Sequence, residues 1–236
     1  MTAAYTTQRL GGLDTLVVRG ATDGLTVVVL HGYGANAFDL LPLQGELAAP
    51  KSTNWLFPHA PLEVEIGPHM TGRAWFPIDL MAMQLAMIAG KAPDLRRTSP
   101  SQLPKSCSMV AEMLAEFGSD LSRTVLMGFS QGAMVATALT LTAPTTPAGL
   151  AVLSGTLLDE AQWRTLAPAR AGLRFVQSHG RGDPLLSFAA ASQLNQLLID
   201  AGWHGQFIGF DGGHEIPAQA LSKCSQLLRE AVLAIA

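Results

Sequence analysis

Apolar runs of strand length and apolar stripes of helical period alternate along this chain. Leu25-Thr-Val-Val-Val-Leu30 is a continuous β-branched run, the pattern of a strand buried on both faces of a sheet. Thr124 to Met127, Leu150-Ala-Val-Leu153, Leu173-Arg-Phe-Val-Gln177 and Gln206-Phe-Ile-Gly-Phe210 predict further strands of this kind. Trp55-Leu-Phe57 is a shorter one, and Leu16 to Arg19 reads as an edge strand. Between them, apolar residues fall three and four apart. Phe38, Leu41 and Leu47 predict one helix, with Pro42 limiting where it starts. Leu103, Cys107, Val110, Leu114 and Phe117 mark a second. Phe188, Ala191, Leu194, Leu198 and Ala201 mark another, and Leu221, Cys224, Leu228, Val232 and Ile235 close the chain. Ala133 to Leu141 is a helix of small and apolar residues, suited to lying against a sheet. This alternation predicts an α/β fold, a mainly parallel twisted sheet with helices on both faces. Nothing repeats, so residues 1–236 read as a single domain.

One stretch does not fit the pattern. Asp79 can cap a helix and Gly90 can end it, and between them lie Leu80, Met81, Met83, Leu85, Met87 and Ile88. A helix apolar on every side must be buried, cover a pocket or sit in an interface. Residues 77–104 are therefore a candidate lid or cap insertion, in which Met81, Met83 and Met87 would line a substrate pocket. An extra core helix and a homodimer contact are the other readings.

Composition narrows the function classes. At 236 residues and 48% hydrophobic content, one core is sufficient, because a chain of this size buries roughly 70–75% of its unfolded surface. Charged residues make up 14% and the formal net charge is −3. Without a basic block there is no electrostatic footprint for nucleic acid. No apolar run approaches the ~18 residues of a membrane span, and the N-terminal residues lack the apolar core of a signal peptide. The expected compartment is cytoplasmic. Cys107 and Cys224 fall on apolar helix faces without metal-ligand spacing, as expected of buried free thiols.

The chemistry is found at the strand ends. In a parallel sheet, ligands gather beyond the carboxyl ends of the strands. Those ends deliver His31-Gly-Tyr-Gly34, then Gly128-Phe-Ser-Gln-Gly132, then Asp183, then His214. Gly-x-Ser-x-Gly between an apolar strand and an apolar helix is the pattern of a strained turn that lifts a serine hydroxyl clear. Gly128 and Gly132 would let strand and helix pass closely. A serine hydroxyl needs a base, and a histidine base needs a carboxylate to fix its tautomer. The chain order serine, acid, histidine reduces six histidines to His204 and His214. His204 precedes its strand and reads as a surface residue, which leaves His214. Among Asp159, Asp183, Asp200 and Asp211, Asp183 follows a strand directly and precedes Pro184. Asp211 reads as turn chemistry before two glycines, and Asp200 as a polar position late in a helix. An oxyanion would need two N–H donors. The turn places Gln131 N–H, and the His31–Gly34 loop offers Tyr33 N–H. His31 itself reads as structural.

These residues, together with Leu30-His-Gly-Tyr-Gly-Ala-Asn36, Asp39-Leu-Leu-Pro42, Pro58-His-Ala-Pro61, Arg73-Ala-Trp-Phe76, His179-Gly-Arg-Gly-Asp-Pro184 and Gly213-His-Glu-Ile-Pro217, resemble the phospholipase/carboxylesterase group of the α/β-hydrolase superfamily, which includes acyl-protein thioesterases. The resemblance implies the α/β-hydrolase fold and hydrolysis of esters or thioesters without cofactor or metal. By position it makes Ser130 the nucleophile, Asp183 the acid and His214 the base, with the Tyr33 and Gln131 amides as oxyanion hole and Trp75 near the substrate pocket. The expected function is a serine carboxylesterase acting on small to medium acyl esters through an acyl-enzyme. Alternatives are an acyl-protein thioesterase or lysophospholipase, and a non-catalytic ligand-binding relative. A hydrolase with a cysteine nucleophile is disfavoured, because the turn carries Ser130 while both cysteines sit on helices.

Overall fold

The computed structural model describes residues 4–79, 81, 82, 85, 88 and 92–235. The chain opens with strands β1 (Thr6–Leu10), β2 (Leu13–Val18) and β3 (Thr26–Leu30). Two short helices follow, α1 (Ala37–Leu40) and α2 (Leu43–Glu46), then β4 (Asn54–Pro58). Strands β5 (Leu62–Gly67) and β6 (Met70–Ala74) form a separate antiparallel hairpin. Beyond it come α3 (Leu103–Phe117), β7 (Thr124–Phe129), α4 (Gln131–Thr142), β8 (Gly149–Leu153) and α5 (Glu160–Leu166). The chain ends with β9 (Arg174–Gly180), α6 (Phe188–Asp200), β10 (His204–Phe210) and α7 (Ala218–Ile235).

Eight strands form one sheet in the order β1-β2-β4-β3-β7-β8-β9-β10. The β1–β2 and β2–β4 pairs are antiparallel, and the remaining pairs are parallel. Strands β3 and β8 are buried at every position. Their side chains alternate between two cores. Val28, Leu30, Leu126, Leu150 and Val152 face the core covered by α3, α4 and α5, while Val27, Val29, Val125, Met127, Ala151 and Leu153 face that covered by α1, α2 and α7. Burial on both faces is why these strands are continuous apolar runs rather than alternating ones. Registry brings the strand ends level. Leu30 lies opposite Gly128, Phe129 opposite Leu153, Leu153 opposite Ser178, and Gly180 opposite Phe210.

Several local expectations need correction. The single helix expected from Phe38 to Leu47 is two, because Pro42 has no N–H to donate into a continuous ladder. Asn36 starts the first with a reciprocal cap, its side chain accepting from Phe38 N–H and its own N–H donating to Asp39. The first strand is a hairpin, β1–β2, beginning ten residues earlier than Leu16. The loop expected after Pro61 contains the β5–β6 hairpin. Asp79 does cap a helical turn, accepting from Ala82 N–H at 2.9 Å. Met81, Leu85 and Ile88 are helical and 72, 62 and 84% exposed, so this face is not core. Leu80, Met83 and Met87 lie outside the described residues.

Candidate active site

Ser130 sits at the junction of β7 and α4 with φ 55° and ψ −119°, a left-handed backbone that a serine seldom adopts. Close packing enforces it. A Cβ on Gly128 would lie 2.3 Å from the Gly132 carbonyl carbon, and one on Gly132 would lie 2.1 Å from the Leu30 carbonyl oxygen. Ser130 N–H donates to Leu153 O at 2.8 Å, which ties the turn to the end of β8. Opposite lies the glycine loop after β3, where a Cβ on Gly32 would come within 3.2 Å of Ser130 Cβ. Among the described residues, the N–H groups of Tyr33 and Gln131 enter no turn, loop or cap hydrogen bond.

Asp183 and His214 meet on the other side. His214 Nδ1 is 2.7 Å from Asp183 Oδ2, and the carboxylate makes Nδ1 the protonated nitrogen, leaving Nε2 with its lone pair. The His214 ring lies 4.9 Å from that of Phe129, the residue before Ser130. The two loops are seamed together. Arg181 N–H donates to Phe210 O and Gly182 N–H to Gly212 O, and a Cβ on Gly180 would strike Gly213 O at 2.1 Å. The Asp183 side chain is fully buried. Burial alone would raise its carboxyl, but the His214 hydrogen bond and the N–H groups of Leu186 and Leu185 together outweigh that and hold it below the usual carboxylate range.

A second histidine, unassigned by sequence reasoning, touches the same acid. His179 is fully buried, with Nε2 at 3.0 Å from Leu186 O and 3.3 Å from Asp183 Oδ2. Burial lowers its pKa and so favours the neutral ring, with Nε2 facing both oxygens. Strand β9 runs three residues beyond the expected Gln177, and that extension carries His179 into the core. The motif His179-Gly-Arg-Gly-Asp183 was the signal available for it.

The glycine loop is held from behind. His31 Nδ1 donates to Gly32 O at 2.7 Å while Nε2 accepts from Ala60 N–H at 3.0 Å. Burial pushes its pKa down to about 4, so it is a neutral brace, the structural role expected for it. The Trp75 indole N–H donates to His31 O at 2.9 Å. The Gln131 side chain accepts from Trp75 N–H and donates to Phe76 O, at 2.8 and 2.7 Å. Trp75 is fully buried, so it supports the loop instead of presenting a surface to substrate. Strand β6 pairs with the loop through Gly34 N–H to Arg73 O and Arg73 N–H to Ala35 O, so close that a Cβ on Gly72 would lie 1.9 Å from Gly34 O. The alternation Leu62-Glu-Val-Glu-Ile66 was a legible sign of this hairpin.

The other candidates lie elsewhere. His204 is exposed at the amino end of β10. Asp159 caps α5, Asp200 accepts from Gln196, and the Asp211 side chain is 97% exposed near Arg181. Cys107 and Cys224 are free and buried, and burial pushes both thiols up to about 12. Among the described residues no group of three His, Cys, Asp or Glu side chains could hold a metal ion.

Comparison with known proteins gives the family of the chain. The family described as phospholipase/carboxylesterase matches residues 17–232. Acyl-protein thioesterase 1 of Mycosarcoma maydis is 26% identical over 230 residues, covering 92% of this chain and 94% of that protein. A carboxylesterase of Arabidopsis thaliana is 27% identical over 200 residues, covering 83% and 85%. The crystal structure of a Bacillus cereus carboxylesterase superposes with a TM-score of 0.72 at 20% identity, covering 93% and 94%, a likeness of fold.

Proposed function

The chain belongs to the phospholipase/carboxylesterase family, and on that footing we propose that it is a serine hydrolase of carboxylic esters, of small to medium acyl length, working through Ser130, His214 and Asp183. The observation that carries this reading is the 2.7 Å contact between His214 and a buried Asp183, at the sheet edge where Ser130 is held at positive φ. His214 Nε2 takes the Ser130 proton as Oγ attacks the ester carbonyl. The oxyanion accepts from Gln131 and Tyr33 N–H. Collapse to the acyl-enzyme expels the alcohol, which receives the proton from His214. Water then repeats the sequence and frees the acid. Asp183 holds the imidazole in the required tautomer and stabilises its cationic form.

The thioesterase names of several relatives favour a second reading, hydrolysis of a thioester such as an acylated protein. Neither needs a cofactor. A ligand-binding role without catalysis has less support, since a binder has no use for a poised base. The free cysteines fit a reducing compartment, which favours the cytoplasm. The test is hydrolysis of p-nitrophenyl esters from acetate to palmitate, with one thioester alongside. Ser130→Ala should lose roughly 10⁴-fold or more in kcat; hydrolysis that survives the substitution refutes the assignment. A rate maximum at short chains supports the ester reading, and one on the thioester or long chains supports the second.

A further inference from the structure

His214 is clamped on both sides, and the two clamps come from different parts of the site. Before it, Gly212 O accepts from Gly182 N–H in the loop carrying Asp183. After it, Glu215 O accepts from the hydroxyl of Ser154 at 2.9 Å, across 61 residues of sequence. Ser154 follows Leu153, whose carbonyl receives the N–H of Ser130. Ser154 is fully buried and has φ 48°, in a region glycine adopts freely and serine does not. Its own N–H donates at 2.9 Å to the carbonyl of Ser178, the strand residue preceding His179. A glycine would satisfy this backbone with less strain, so what serine adds there is the hydroxyl, and the hydroxyl reaches the loop of the base.

We propose that Ser154 is a positioning residue, whose hydroxyl joins the nucleophile's turn to the loop of the catalytic base and sets the approach of His214 to Ser130. This rests on the reading of Ser130 and His214 given above. Residues 153 and 154 act as one strut: the Leu153 carbonyl holds Ser130, and the Ser154 hydroxyl holds the residue after His214. The Glu215 side chain is itself exposed, so its main chain needs such an internal anchor. Without the hydroxyl, the loop keeps the clamp at Gly212 and loses the one at Glu215, so the imidazole can pivot about its contact with Asp183.

The experiment uses the full chain with Ser154→Ala and Ser154→Gly. Glycine relieves the positive φ, so Ser154→Gly should melt at or above the wild-type temperature and stay folded even if the alanine variant does not. Both should lose roughly 10- to 100-fold in kcat on a p-nitrophenyl ester, as expected for a displaced catalytic group, with KM changed less than twofold. The His214 Nδ1–H resonance should broaden in both variants, a readout that needs no turnover. Ser154→Gly with wild-type kcat and an unchanged His214 resonance would overturn the proposal, leaving the hydroxyl a mere satisfied core group. Failure of the parent reading looks different: wild type itself would neither hydrolyse the ester nor react at Ser130, whatever the His214 resonance does in the variants.

Discussion

The two halves of the site are built on opposite electrostatic terms. On the side of β9 and β10, a buried carboxylate is kept ionised by two backbone N–H groups and His214, with His179 Nε2 at 3.3 Å. On the side of β3 and β6, the buried titratable group is kept neutral. His31 donates one hydrogen bond, accepts another, and is pushed down to about 4 by burial. In the proposed reaction the first half needs charge, because an imidazolium would form there and must be balanced. In the same proposal the second would present bare N–H dipoles to a developing oxyanion. The means of support differ accordingly. The acid and base loops are seamed through glycine backbones, whereas the oxyanion loop leans on a hairpin strand, an indole and the Gln131 amide.

Breaking one half at a time sharpens this contrast. The largest effect is expected from Asp183→Asn, which removes the carboxylate that fixes the His214 tautomer; kcat should fall roughly 10⁴-fold while the oxyanion half stays in place and substrate binding persists. A loss under tenfold would mean that His214 is oriented by something else.

Gly72→Ala strikes the other half. Its new methyl must displace Gly34 O, which lies 1.9 Å from the Cβ position, and so shift the Tyr33 amide. The expected cost is about 10²–10³ in kcat, the value of one oxyanion donor, with the His214–Asp183 resonance unchanged. An effect on that resonance would show that the halves are not independent. Near-wild-type kcat would show that the Tyr33 amide is not used.

The smallest effect is on stability against pH. His31 has a folded value of about 4 against 6.5 unfolded, so the unfolded state binds more protons between those limits. Stability should fall as pH drops from 6.5 toward 4, by at most about 1.4 kcal/mol per pH unit from this residue. His179, lowered for the same reason, adds to the slope, while Asp183 adds its loss only below the ordinary carboxylate range. Urea unfolding at several pH values measures it, and a flat profile over this window would contradict a neutral, buried His31.

The same contrast explains what could be read in advance. Ser130, Asp183 and His214 are legible because each follows an apolar strand, and parallel pairing levels the strand ends. Their supports are less legible. Trp75 is placed near the pocket by the resemblance alone, which carries no sign of its total burial. His179 needs the exact end of β9, and strand boundaries are the least certain part of any pattern. Ser154 gives no signal, since its role depends on one hydroxyl meeting a carbonyl 61 residues away. The β5–β6 alternation was visible, yet its partner is a loop, which no periodicity reveals. Met81, Leu85 and Ile88 exclude one of the three readings of their stretch, since a core helix would not leave them exposed.

If Ser130 is the nucleophile we propose, it forms the covalent intermediate. The direct measurement is mass spectrometry of the intact protein and its peptides after reaction with a fluorophosphonate ester. One adduct is expected, on Ser130, absent from Ser130→Ala and much slower to form in His214→Ala. An adduct on another residue, or a full-rate adduct without His214, would contradict it.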